Sequence, residues 1–189
     1  LASLTAISCS TTRVLQDGEY RLTRNKIEIS NDRDFNPNQL NKYLKQNEHL
    51  GWSPFLYVYN WSDGSGNAWD RFVKKVGKAP VVYKPELVET SVENIENHLE
   101  YIGYYGSKVN AEIWTTGKQV DIKYNVTLGR RYQIKDITIN IPEHGEFREA
   151  FLADTSGITI KKGDFLAESL LEVETERSSS KLRNQGFYD

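Results

Sequence analysis

The sequence predicts an α+β protein in which one unit, strand–helix–helix–strand–strand, occurs once in full and once in part. Three observations carry this. Val120, Ile122, Tyr124, Val126 and Leu128 alternate with polar residues, the period of a half-buried strand. Val88, Val92, Ile95, Leu99 and Ile102 recur three or four residues apart, the apolar stripe of a helix. The string LEYIGYYG at 99–106 returns as LRNQGFYD at 182–189, which marks an internal repeat.

The elements follow in order. Tyr20–Ser30 predicts a strand, with Ile27 and Ile29 alternating against charged neighbours. Asn36–Gln46 predicts a short helix: Asn36 caps, Pro37 suits the first helical position, and Leu40, Tyr43 and Leu44 form its stripe. Residues 50–80 read as an aromatic-rich insertion with a Gly/Ser turn at Asp63–Asn67 and an amphipathic piece around Trp69–Val76. Within it, PFLYVYNW alternates well enough to be an extra strand, with Phe55, Tyr57 and Tyr59 on one face. A long helix then starts at Pro85 and ends at Gly103. Val109, Ala111 and Ile113 open a hairpin that turns at Thr116–Gly117 into the strand ending at Leu128.

The pattern then restarts. Tyr132–Ile141 predicts a strand through Ile137, Ile139 and Ile141, and Glu146–Gly157 a short helix. Asp164 is placed to cap the next helix, with Leu166, Leu170 and Val173 on one face and its end at Gln185. Aligning the two repeats sets Leu87 against Leu170, Glu93 against Glu176 and Leu99 against Leu182. The second copy stops where its two last strands should begin. The expected organisation is therefore 1–19 as leader and tether, 20–129 as a full domain and 130–189 as a partial one. As a partial domain, Tyr132–Asp189 should be stable only by leaning on other chain.

The totals exclude several classes. In 189 residues the net charge is −2, with no basic footprint for nucleic acid. No run approaches the eighteen or so apolar residues of a spanning helix. The one cysteine rules out an internal disulfide framework and a thiol-rich metal site. Methionine is absent, so a fragment or processed form is expected. His49, His98 and His144 are scattered, and no nucleotide-binding or hydrolase motif occurs. No enzyme, no cofactor and no metal are expected. DGSGN at 63–67 loosely resembles a calcium loop but lacks its terminal glutamate, so it reads as a turn.

LASLTAISCSTTRV opens the chain, small and apolar up to Cys9 and polar after it. It resembles the end of a bacterial lipoprotein signal peptide, with a lipobox at Ala6–Cys9. On that reading Cys9 is lipidated and Thr11–Gly18 is a short tether; the alternative is a leader with an incidental cysteine. The paired helix endings, KLRNQGFYD and HLEYIGYYGSKV, together with the repeated element order, resemble tandem POTRA (polypeptide-transport-associated) domains. Those belong to BamA/TamA-type outer-membrane assembly factors. The leading CSTTRVLQDGEYRL and the aromatic insertion are similar to the TamL-like lipoprotein branch.

The resemblance implies a periplasmic scaffold that holds unfolded outer-membrane proteins or docks assembly-machine subunits. It implies attachment to the outer membrane by lipid and by a C-terminal β-barrel. The binding mode would be β-augmentation, an extended client adding a strand to a sheet edge. In the family the first hairpin strand is that edge, here Lys108–Thr115, with Lys108, Asn110, Glu112 and Trp114 pointing outward. A charged edge protected against unwanted pairing is an equal reading. For the aromatic insertion, packing on its own domain is one reading and a partner surface at Trp52, Trp61 and Trp69 the other. A different class also stands: a stand-alone lipoprotein binding glycan or cell-wall ligand through those tryptophans.

Overall fold

The computed structural model describes residues 11–48 and 53–188, so Cys9, His49 and Trp52 lie outside the described residues. Two compact units form, one from residues up to Ile95 with Val109–Val126, the other from Glu96–Lys108 with Thr127 onward.

The first unit is an α+β layer. Strands β1 (Arg21–Ile29), β2 (Lys108–Thr116) and β3 (Gln119–Thr127) make one sheet in the order β1-β3-β2. β1 runs parallel to β3, with Ile27 beside Tyr124 and Ile29 beside Val126. The register slips by one residue between Leu22 and Arg24. That slip at Thr23 explains why Leu22 and Ile27, an odd spacing apart, are both buried: an extra residue reverses which face the next side chain takes. Val120, Ile122, Tyr124 and Val126 of β3 are all buried, as their alternation predicts. Val88 and Ile95 bring helix α3 (Pro85–Tyr101) into the core. Each such side chain contributes about 1.5–3 kcal/mol on burial.

The helix expected over Asn36–Gln46 forms as a 3-10 turn, Pro37–Tyr43. The Asn36 side chain caps it, accepting from the Asn38 N–H at 3.0 Å. It stops at Leu44 because the following loop is tied elsewhere. The Lys45 N–H donates to the Ser91 hydroxyl at 2.9 Å, and the Gln46 amide donates to the Lys84 carbonyl at 2.6 Å. The segment expected as a tether also packs down. Thr11 and Leu15 are buried, and the Val14 N–H donates to the Asn60 side chain at 3.3 Å.

The second unit holds α4 (Glu146–Ala153), a 3-10 turn at Thr155–Gly157 and α5 (Glu168–Asn184). Three expectations are corrected here. Tyr132–Ile141 forms no strand. Its first residues pair with the turn before α5: the Leu166 N–H donates to the Tyr132 carbonyl at 2.7 Å and that of Ile134 to the Asp164 carbonyl at 2.8 Å. Among the described residues no strand pairs with 136–141, and Ile137 and Ile139 are exposed. β1, by contrast, has β3 along its length, and an extended run without such a partner is not a stable strand. Asp164 does not cap α5, since its carboxylate accepts from the Lys161 N–H at 2.7 Å and Ala167 holds the cap position. Val173 is 60% exposed; the inward position one residue on is Glu174.

Glu174 is buried because its charge is matched. It accepts from the Thr159 N–H at 2.8 Å, the Ser178 hydroxyl at 2.9 Å and the Arg177 guanidinium at 2.7 Å. Arg177 first, and then Thr159 and Ser178, hold its carboxyl well below the ordinary range against the cost of burial. Arg177 and Lys181 both reach Asp154, which ties α5 to the end of α4.

The two repeat signatures close their helices identically. At the end of α3, the Tyr104 N–H donates to the Leu99 carbonyl at 2.8 Å and that of Gly103 to Glu100 at 2.9 Å. At the end of α5, the Phe187 N–H donates to Leu182 at 3.1 Å and that of Gly186 to Arg183 at 2.9 Å. Both are Schellman caps, with the glycine at positive φ. The alignment of Leu99 with Leu182 is thus present in backbone hydrogen bonds. In the first copy the signature residues hold residues of the second repeat. Gly103 lies against Leu166, the Arg131 guanidinium sits 5.0 Å from the Tyr104 ring, and Tyr105 meets Tyr132 at 5.6 Å between ring centres.

Candidate functional site

The strand order leaves β2 at one end of the sheet. The other outer strand, β1, is partly covered where it starts: the Leu22 N–H donates to the Val81 carbonyl and the Tyr83 N–H to the Tyr20 carbonyl, each at 2.8 Å. Among the described residues β2 is therefore the open end of the sheet, the edge that a further strand would extend. Its sequence gives it two unlike faces, because successive side chains alternate. Lys108, Asn110, Glu112 and Trp114 form one face and are all exposed. Ala111 and Ile113 form the other and line a groove beside α3.

The groove is about 400 Å³ and is otherwise lined by Tyr83, Pro85, Val88, Glu89, Val92 and Glu93. Its floor is aliphatic and its rim acidic. Ile113 is exposed there although apolar, and Val92, one turn along the helix stripe from Val88, is only half-buried. Burial pushes the Tyr83 hydroxyl pKa up, with Glu86 and Glu89 adding to the effect. An extended segment laid along β2 would offer backbone groups to the edge and every second side chain to the groove. The sequence reading placed the edge, and singled out its outward face. It did not single out Ala111, Ile113, Glu89 or Glu93 for the site, and it placed Val92 on the apolar stripe of the helix. The available signal was the alternation of Val109, Ala111 and Ile113, which sets an apolar face on β2 opposite Asn110, Glu112 and Trp114.

The aromatic insertion is a pair of helices, α1 (Pro54–Tyr59) and α2 (Ala68–Val76). The extra strand expected over PFLYVYNW is thus a helix. Pro54 takes its first position, Leu56 is buried, and the Asn60 N–H closes a turn on the Leu56 carbonyl at 3.2 Å. The helix is held from the far side as well. The Lys78 N–H donates to the Phe55 carbonyl at 2.9 Å, and Gly77 approaches so closely that a Cβ there would stand 2.5 Å from the Tyr59 nitrogen.

DGSGN wraps a carboxylate of its own domain. Asn67 caps α2, accepting from the Asp70 N–H at 2.7 Å. The buried Asp70 carboxylate accepts from the Ser62 hydroxyl, the Gly64 and Gly66 N–H groups at 3.2 Å each, and Lys74 at 2.9 Å. Ser62 and then Lys74 hold its pKa down at about 2. The loop is a turn, closed around Asp70. The packing expected of the insertion's aromatic residues holds in part: Tyr57 and Tyr59 are half-buried, whereas Phe55, Trp61, Trp69 and Phe72 are exposed.

Residues 23–129 match the POTRA family, described as surface antigen variable number repeat. The match covers more than half of the chain and takes in β1 from Thr23, the insertion, α3, β2 and β3. The chain is also similar to the crystal structure of Haemophilus influenzae BamA POTRA3-5, at 14% identity and a TM-score of 0.39. That likeness covers 90% of this chain and 52% of the other, so the chain spans about half of that structure's length. No curated protein matches the chain. The chain belongs to the POTRA family, whose domains are scaffolds and not enzymes.

Proposed function

We propose that this POTRA-family chain is the periplasmic scaffold region of an outer-membrane protein assembly or translocation factor. It binds extended client polypeptides or partner subunits by strand addition at β2. The observation that supports this is the exposed edge of β2 lying beside the groove of Tyr83, Val88, Val92 and Ile113. Backbone pairing gives affinity with little sequence demand, and the groove selects alternate apolar side chains. Glu89 and Glu93 on the rim, with Glu112 on the strand, favour a client carrying basic residues beside its apolar ones. Unfolded outer-membrane strands alternate apolar and polar residues, which fits the alternate apolar contacts of the groove.

The test is a fluorescence anisotropy titration of the chain with a labelled peptide copied from an outer-membrane β-strand. Saturable binding is expected, weakened at least about tenfold by Ile113→Glu, which removes the apolar contact without touching a buried residue. Absence of binding, or equal binding by the variant, overturns the reading.

The same proposal places a lipid on Cys9, in keeping with a TamL-like lipoprotein, and a membrane barrel elsewhere in the full protein. Incorporation of labelled palmitate in cells, lost in Cys9→Ala, is the expected result. Incorporation unchanged by that substitution removes the anchor from the proposal.

A further inference from the structure

Helix α2 has three faces. Asp70 and Val73 are buried. Trp69, Phe72 and Val76 form a second face at helical spacing, and they are 53%, 54% and 42% exposed. The Trp69 and Phe72 rings stack with centroids 5.8 Å apart. Arg71 and Lys75 make the third face, also exposed, adjoining the aromatic stripe on the solvent side. A surface helix ordinarily turns its apolar stripe to the core. Here the core side is served by Asp70 and Val73, and a second, larger apolar stripe faces outward.

The charge around the stripe runs against that of the whole chain. The two helices and their flanks carry Arg71, Lys74, Lys75 and Lys78 against Asp63 and Asp70, in a chain of net charge −2. Lys74 is paired with Asp70, so Arg71, Lys75 and Lys78 remain as outward positive charge against the exposed carboxylate of Asp63. The Lys78 N–H bonds to the Phe55 carbonyl, which places the exposed Phe55 at the same basic end.

We propose that α2 docks the first unit on an anionic membrane surface, with Trp69 and Phe72 in the interfacial region and Arg71, Lys75 and Lys78 against lipid headgroups. The stripe projects from the outer side of the helix, with each of its three side chains exposed. A stripe of stacked aromatic rings enters a deformable medium readily, whereas an extended client needs an edge or a groove. Tryptophan is the side chain most at home at the headgroup boundary. Nine residues span roughly 14 Å, so the helix lies along the surface and does not cross it. This surface is separate in sequence from the β2 edge, and the inference stands whether or not β2 takes a client.

The experiment is co-sedimentation of the whole chain, carrying Cys9→Ser so that no acyl chain contributes, with vesicles. Phosphatidylglycerol–phosphatidylethanolamine vesicles are compared with phosphatidylcholine vesicles, and tryptophan emission is recorded. Binding to the anionic vesicles is expected, with a blue shift and with weakening in salt. The pair Trp69→Ser and Phe72→Ser, and separately the pair Arg71→Glu and Lys75→Glu, are each expected to reduce partitioning at least about tenfold. All four side chains are exposed, so far-ultraviolet dichroism should be unchanged, and Val173→Ser, at an exposed apolar residue of α5 outside both proposed surfaces, serves as the unaffected control. Lack of partitioning, or partitioning that survives the aromatic pair, overturns the proposal. So does a monomer–dimer shift in the aromatic pair without change in vesicle binding, which would assign the stripe to a second copy of the chain.

Discussion

Gly103 lies so close to Leu166 that a side chain on it would stand 2.5 Å from the Leu166 carbonyl oxygen. The glycine also holds φ +93, a conformation other residues adopt at a cost. Gly103→Ala therefore meets both strain and a backbone clash, and is expected to destabilise the second unit by about 2–4 kcal/mol. Gly106 has φ +73 but open space around it. Gly106→Ala should cost only about 1 kcal/mol. Urea unfolding of the two variants side by side separates close packing from backbone strain.

Asp70 gives a pH-dependent prediction whose sign is fixed. Its carboxyl is lowered from an ordinary value of 3.8 to about 2 by Ser62 and Lys74. A carboxylate depressed in this way stabilises the fold above its unfolded pKa and loses that contribution as pH falls through the folded one. Asp70→Asn should thus lower the melting temperature at pH 6, with the deficit shrinking between about pH 4 and about pH 2. A deficit that stays constant across that range would show that the amide disturbs the loop for steric reasons and that the charge contributes nothing.

Amide exchange should be graded along the chain. β3 has four buried apolar residues and a strand on each side. α4 has no buried residue, and the one buried residue of α5 is Glu174. Exchange in α4 and α5 is therefore expected to be faster than at Val120–Val126, because local opening exposes little apolar surface. Equal protection in the two places would contradict this.

What the sequence made legible was whatever depends on near neighbours. The alternation of Val120 to Val126 needed only its own period. The stripe from Val88 to Leu99 and the glycine after it set the helix and its cap, and the repeated signature set the same cap again after Leu182. The absence of a strand at Tyr132–Ile141 was not legible, because a strand depends on a partner, and Ile137 and Ile139 have an alternating pattern with no partner among the described residues. PFLYVYNW misled for the opposite reason. Its residues are apolar at almost every position, so period two and period 3.6 both fit, and Pro54 with the hydrogen bond from Asn60 decided for helix. At the site, the edge was foreseen. The groove was not, because the exposure of Ile113 depends on where α3 lies across it.

The most direct measurement is amide exchange of the chain with and without a saturating outer-membrane strand peptide. Strand addition predicts slowed exchange within Lys108–Thr116, the edge strand itself, with little change in β1. Bound peptide with unaltered exchange in that strand would contradict the account.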